Sequence, residues 1–198
     1  MVKPIEQGEI LSLAEYEKVR EHFRARVISE KRIRRVSIGQ RVSAVFENRD
    51  TVLLQIQEML RTERITRGPA IQHEIDTYNE LLPGNDELSC TLMIEIDDRA
   101  EREAFLQSAK GFEDHVWLVA GDNKRIPAQS KERAIDPERT TAVHYLKFSL
   151  PKATADEIRG AVKTGWKALA LEVDHPSYKA RAELSAAVIA SLGEDLDD

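Results

Sequence analysis

The sequence predicts an α+β fold: a mostly antiparallel sheet with helices packed on one face, built from ferredoxin-like elements and preceded by N-terminal helices. Three observations lead there. Up to about residue 87 the apolar residues recur at helical spacing, and beyond it they alternate as in strands. Two segments, LMIEIDDRAEREAFL and LALEVDHPSYKARAELSAAV, share one order: an alternating strand, Glu-x-Asp followed by an acid or a histidine, then a helix. Gly121-Asp122-Asn123-Lys124 supplies a hairpin turn between two apolar runs. The 198 residues read as a single domain, with a mainly helical part (1–87) that holds one short strand, a β-α-β-β-β-α-β-α part (88–193) and a frayed acidic tail (194–198).

The elements follow in order. Ser12 and Glu15 form a capping box, and Leu13, Tyr16, Val19, Phe23 and Val27 give a helix from about residue 13 to 28. Gly39 marks a turn, and Val42, Ala44 and Phe46 alternate as a short half-buried strand. Asp50 or Thr51 can cap the next helix, whose stripe is Val52, Leu53, Ile56, Met59 and Leu60. Gly68-Pro69 breaks the chain before a helix carrying Ile71, Ile75, Tyr78 and Leu82. Cys90, Leu92, Ile94 and Ile96 then line one face of a strand, followed by a helix over about 98–109 begun by Asp98 and Glu101. Residues 115–120 and 125–129 flank the hairpin turn, with Pro127 demanding an edge position. After a polar loop over 130–140 come a strand (142–150), a short helix capped by Thr154 and Glu157, a strand (166–174) and a terminal helix over about 178–192.

Composition narrows the function classes. A net charge of −6 gives no global attraction to nucleic acid or anionic membrane. No apolar run is long enough to span a bilayer, and the N-terminus lacks the pattern of a secretory signal. The lone Cys90 excludes an internal disulfide and a multi-thiolate zinc site, and its apolar strand face makes it an inert core thiol. The expectation is a cytoplasmic protein in a reducing compartment.

Three places can hold chemistry. Glu47, Asn48, Arg49 and Asp50 crowd a strand-to-helix junction, where free amides attract an anion or a capping carboxylate. Arg49 and Glu63 project onto the apolar stripe of the following helix, so Arg49 can pair with Glu63 or with Asp50. Glu47, Arg49, Asp50 and Glu63 are therefore binding candidates. Glu95 with Asp97, and Glu172 with Asp174, each share a strand face; if the two strands are neighbours, these carboxylates with His175 could bind a divalent metal. The same pattern arises from a solvated polar face. The basic segment 18–35 is the one stretch suited to RNA or another polyanion, although its partner aromatics, Tyr16 just before it and Phe23 within it, fall on the apolar stripe.

The segments 24–39 (RARVISEKRIRRVSIG), 46–65 (FENRDTVLLQIQEMLRTERI), 75–84 (IDTYNELLPG), 88–98 (LSCTLMIEIDD), HVWL at 115–118 and DHPSY at 174–178 resemble a bacterial family, the domain-of-unknown-function family numbered 3501. The resemblance spans nearly the whole chain and carries no established activity, cofactor or catalytic residue. Members of that family are often encoded beside rubrerythrin-like proteins and iron–sulfur oxidoreductases. This implies a role in redox or peroxide stress with redox proteins as partners. The expectation is an uncharacterised accessory or binding protein that works through protein contacts, copies of itself included. The alternatives are a metal-binding protein or metalloenzyme using the strand-end carboxylates and His175, and a polyanion-binding protein using 18–35.

Overall fold

A computed structural model describes residues 2–130 and 138–197. After a 3-10 turn (Gln7–Glu9), the chain forms α1 (Leu13–Ile33), β1 (Arg35–Ile38), β2 (Val42–Phe46), α2 (Arg49–Thr62), α3 (Gly68–Asn79), β3 (Glu87–Ile94) and α4 (Arg99–Ser108). A second 3-10 turn (Phe112–His115) leads into β4 (Val116–Ala120), β5 (Lys124–Pro127), β6 (Gln129–Ser130), β7 (Val143–Ser149), α5 (Lys152–Thr164), β8 (Leu169–His175), β9 (Tyr178–Glu183) and α6 (Ala186–Asp197).

The class is α+β with antiparallel pairing, as expected, and the strands divide between two sheets. The first has the order β1-β2-β3-β7-β6 and the second β5-β4-β8-β9. Their inner faces share one core. Val42, Ala44 and Phe46 of β2, Cys90 and Leu92 of β3 and Phe148 of β7 pack with Leu118 of β4 and Leu171 and Val173 of β8. Helices α4, α5 and α6 close this core with Phe105, Ile158, Ile189 and Leu192. Pro127 lies in β5, an edge strand where its missing N–H costs no ladder bond. The extended chain from Lys124 to Ser130 then passes from the second sheet to the first, since β5 pairs with β4 and β6 with β7.

A second, smaller core lies among the N-terminal elements: Ile5, Val52, Ile56, Leu60, Ile75 and Leu82. The segment preceding α1 is pinned over it. Ile5 N–H donates to Asn79 Oδ1 and Asn79 Nδ2 donates back to Ile5 O, both at 2.9 Å, so the asparagine side chain imitates a strand neighbour. Gln57, 2 % exposed, does the same for the backbone of Leu11.

Local signals set most helix starts. Glu15 N–H donates to Ser12 Oγ at 3.3 Å and Ser12 N–H to Glu15 Oε2 at 3.0 Å. Asp98 accepts from Glu101 N–H at 2.8 Å to begin α4. The cap of α2 is Asn48, in reciprocal bonds with Thr51, so Asp50 falls inside the first turn. Pro69 sits in the first turn of α3 and starts that helix, where its missing N–H is harmless.

Five expectations are corrected. Residues 178–183 form β9 where a terminal helix was expected: Ala180 and Ala182 pack against the core while Lys179, Arg181 and Glu183 face out. Ala, Arg, Lys and Glu favour helix intrinsically, and pairing with β8 overrides that preference. The second strand-then-helix echo therefore fails. α1 continues to Ile33 and is followed by β1, which was not foreseen. Thr154 is buried inside α5, which begins after Pro151. Residues 194–197 belong to α6, so that stretch is not a frayed tail. Most of the polar loop over 130–140, and Asp198, lie outside the described residues. Among the described residues, no helix is long and apolar enough to cross a membrane.

Candidate functional site

Antiparallel register brings Arg35, Val45, Thr91 and Tyr145 into one row across four strands, since Arg35 pairs with Val45, Val45 with Thr91 and Thr91 with Tyr145. A parallel row joins Ser89, Lys147 and Gln129, and Glu47 adjoins it because its N–H donates to Ser89 O at 2.8 Å. Side chains in these rows point away from the shared core, because they alternate with Cys90, Leu92, Leu146 and Phe148. Opposite them lie Tyr78 and Leu81 near the end of α3, Gln55 of α2 and Lys31 of α1.

Between the outer face of the first sheet and these helices runs a groove with two lobes. One, of about 290 Å³, is lined by Thr77, Glu80, Ser89, Gln129 and Lys147; the other, of about 250 Å³, by Lys31, Arg35, Val45, Glu47, Gln55, Thr91 and Met93. Tyr78, Leu81 and Tyr145 line both lobes, so the two are contiguous. Together they fall in the range of small-molecule sites, apolar and aromatic walls with a few placed polar groups.

Glu47 anchors one end of the floor. Glu47 is 6 % exposed, and its carboxyl oxygens accept from Thr91 Oγ1 at 2.6 Å and from Thr51 Oγ1, so each oxygen is satisfied by a hydroxyl. Lys147 fixes the other end: its ammonium donates to Leu82 O at 2.7 Å and to Glu87 Oε1 at 2.8 Å, tying the chain after α3 to the sheet and setting the width of the groove.

Of the residues singled out by sequence, only Glu47 lines this groove among the four binding candidates. Arg49 pairs with neither Glu63 nor Asp50. Its guanidinium binds Glu9 at 2.5 and 2.6 Å and Lys3 O at 3.0 Å, clamping the N-terminal segment, and it holds the Glu9 carboxyl below the usual range. Asp50 pairs with Arg26 on α1. Glu63 is exposed and caps the far end of α2, a whole helix away from Arg49.

The carboxylates proposed for metal are not brought together. Glu95 follows β3 in the first sheet and pairs with Arg35, and Asp97 is exposed. Glu172 and Asp174 lie on β8 of the second sheet, which is not a neighbour of β3. Cross-strand cations neutralise them: Arg125 reaches both, Arg181 approaches Glu172 at 3.6 Å, and Lys179, paired with Asp174 at 3.1 Å, keeps the Asp174 carboxyl below its ordinary range. His175 is 5 % exposed, with Nδ1 accepting from Ser177 N–H at 3.1 Å and Nε2 3.1 Å from Lys110 O. These bonds fix the Nε2–H tautomer and occupy both ring nitrogens. Among the described residues no three or more His, Cys, Asp or Glu side chains form a metal cluster.

Cys90, the buried His144 and half of the basic segment serve the structure. Burial pushes the Cys90 thiol far above its usual range, and the nearby Glu47 charge adds to this. His144 is 5 % exposed, stacks on Phe112, and lies 3.3 Å from Thr140 Oγ1 and 3.8 Å from Glu113 Oε2. Burial holds it below the ordinary imidazole range, against the pull of Glu113. In the basic segment 18–35, Arg20 bonds Glu58 through two nitrogens at 2.8 Å, Arg26 takes Asp50, Arg34 takes Asp195 and Arg35 takes Glu95. Half of that positive charge is thus spent on the protein itself.

Sequence reasoning missed Tyr78, Ser89, Thr91 and Tyr145, and it reached Lys31 and Arg35 only as part of the basic segment 18–35. The available signal was weak: Ser89, Thr91 and Met93 alternate with the core face of β3, which looks the same whether the outer face meets water or a second layer.

No curated protein matches the chain. A crystal structure of a novel protein of unknown function from Burkholderia pseudomallei K96243 is similar over 98 % of this chain and 100 % of its own, with 37 % identity and a TM-score of 0.89. A family model, "Protein of unknown function (DUF3501)", matches residues 4–196. The chain belongs to this DUF3501 family.

Proposed function

We propose that the protein is a binding protein that holds a small molecule in the groove between the outer face of the first sheet and α2 and α3. One observation carries the reading: two contiguous lobes of about 290 and 250 Å³ whose floor is a pair of in-register rows, with Glu47 and Lys147 each held by hydrogen bonds at opposite ends. Such a floor is preorganised where Glu47 and Lys147 are held in place by their own hydrogen bonds. Supporting this over a catalytic role, Glu47 and Lys147 are engaged in structural bonds, and the thiol of Cys90 faces the core. The redox setting implied by the family would then act through the bound ligand or through partner proteins in the cytoplasm, because a buried thiol with a raised pKa is a poor exchange nucleophile.

The test is amide chemical-shift mapping with N-phenyl-1-naphthylamine, a neutral aromatic probe. Perturbations confined to Gln55, Tyr78, Leu81, Thr91 and Tyr145, and lost in Gln55→Trp, are the expected result. Perturbations scattered over the surface, or none, would refute the reading.

A further inference from the structure

We propose that the ligand of this groove is an anion with an apolar body, its charged group at Lys31 and Arg35 and its body lying across the strands between Tyr78 and Tyr145. The inference rests on the reading of the groove as a binding site and adds the chemical class and polarity of what it holds.

Charge is the first argument. Lys31 lines the lobe of about 250 Å³ and is only partly exposed, yet among the described residues it makes no hydrogen bond or ion pair. Glu47, the carboxylate that lines the same lobe, is bonded to the hydroxyls of Thr51 and Thr91 and makes no ion pair with Lys31. Arg35 lines the same lobe and pairs with Glu95, and both partners are more than two-fifths exposed. An exposed pair of that kind is weak and exchanges readily for a better anion. The second lobe is different: its one lysine, Lys147, is already held by Glu87 and the Leu82 carbonyl, and its walls are Tyr78, Leu81 and Tyr145. One end of the groove therefore carries two cations, Lys31 and Arg35, against one carboxylate, Glu47, and the other end is walled mainly by Tyr78, Leu81 and Tyr145 with Glu80 and the paired Lys147 beside them.

Shape is the second argument. The row from Arg35 to Tyr145 crosses three strand spacings, and Gln129 on β6 lies one spacing further. At about 4.8 Å per spacing the floor is roughly 14 to 19 Å long. A compact ion such as phosphate would fill only one end. An aryl or alkyl acid spans it with its anionic group at Lys31 and its body against the tyrosine rings.

A matched pair of probes tests this on the full chain: 8-anilinonaphthalene-1-sulfonate and N-phenyl-1-naphthylamine, which share an aromatic body and differ by the sulfonate. The expected result is affinity for the sulfonate about ten-fold above that for the neutral probe, falling with added salt. Lys31→Gln should remove that advantage and leave the affinity for the neutral probe unchanged; Lys31→Arg should restore it. Equal affinity for the two probes in the unmodified protein, or an advantage that survives Lys31→Gln, overturns the anion assignment while the groove itself stands. Absence of binding by either probe overturns both.

Discussion

The Tyr178 hydroxyl donates to the Ile38 carbonyl at 2.6 Å, which joins β9 of the second sheet to the end of β1 in the first. The same oxygen accepts from Arg41 N–H at 3.3 Å, so one phenol grips both sides of the β1–β2 turn. Gly39, at the turn, has φ of +72°, and a Cβ there would lie 2.4 Å from the Tyr178 oxygen. Glycine is needed for its backbone angle and for the close approach of the ring.

This arrangement predicts strong coupling between the two positions. Tyr178→Phe should cost about 1–2 kcal/mol through the lost hydrogen bonds. Gly39→Ala should cost more, because left-handed backbone alone adds about 1–2 kcal/mol and the phenol must also be displaced. In the double variant the oxygen is gone, so the two costs should sum to less than additivity. Urea midpoints for the four proteins in this cycle are the measurement; strict additivity would count against the clamp.

Arg34 and Asp195 make a second long-range tie. Their side chains are 2 % and 7 % exposed and meet through two nitrogens at 2.6 Å, joining the end of α1 to α6. Arg34 Nε lies 3.3 Å from Glu30 Oε1 without an aligned hydrogen bond. Burial alone would depress the guanidinium pKa, and the Asp195 pairing outweighs it to leave the value raised. Arg34→Met should destabilise by about 3–5 kcal/mol because it breaks a buried ion pair by removing its cation. Truncation before Asp195 should have a comparable effect in chemical denaturation, whereas removal of a frayed tail would leave the midpoint unchanged.

His144 predicts a pH dependence. Burial depresses its folded pKa below 6.5, the ordinary value, so the unfolded chain binds the proton more readily. Stability from the neutral ring is fully present above that value and is lost as pH falls from there toward the folded pKa. The urea midpoint of the unmodified protein should drop as the pH is lowered below 6.5. In His144→Phe that part of the drop should vanish; an unchanged slope would place the linkage elsewhere.

The N-terminal segment predicts a packing cost in the smaller core, behind the helices that wall the groove. Ile5 is 2 % exposed in the smaller core and its backbone is bracketed by Asn79. Ile5→Ala should cost about 2–5 kcal/mol, and Asn79→Ala about 1–3 kcal/mol. Both should raise amide exchange across α2 and α3 before the sheets respond, since the two cores are separate clusters.

Sequence by itself determined the features whose partners are near in the chain. Ser12 with Glu15, Asp98 with Glu101 and the alternation about Cys90 could be read directly, because a cap or a strand face involves residues within a few positions. The α+β class followed from those periods. Glu47 was singled out for standing at a strand-to-helix junction, yet its partner Thr91 lies 44 positions away and was invisible. Tertiary structure decided the rest. It chose Glu9 for Arg49, made 178–183 a strand against helical propensity, separated Glu95 from Glu172, and aligned Arg35, Val45, Thr91 and Tyr145 into the groove floor. Pairing between distant strands sets the last three of these, and it is fixed by which faces bury together across the whole core.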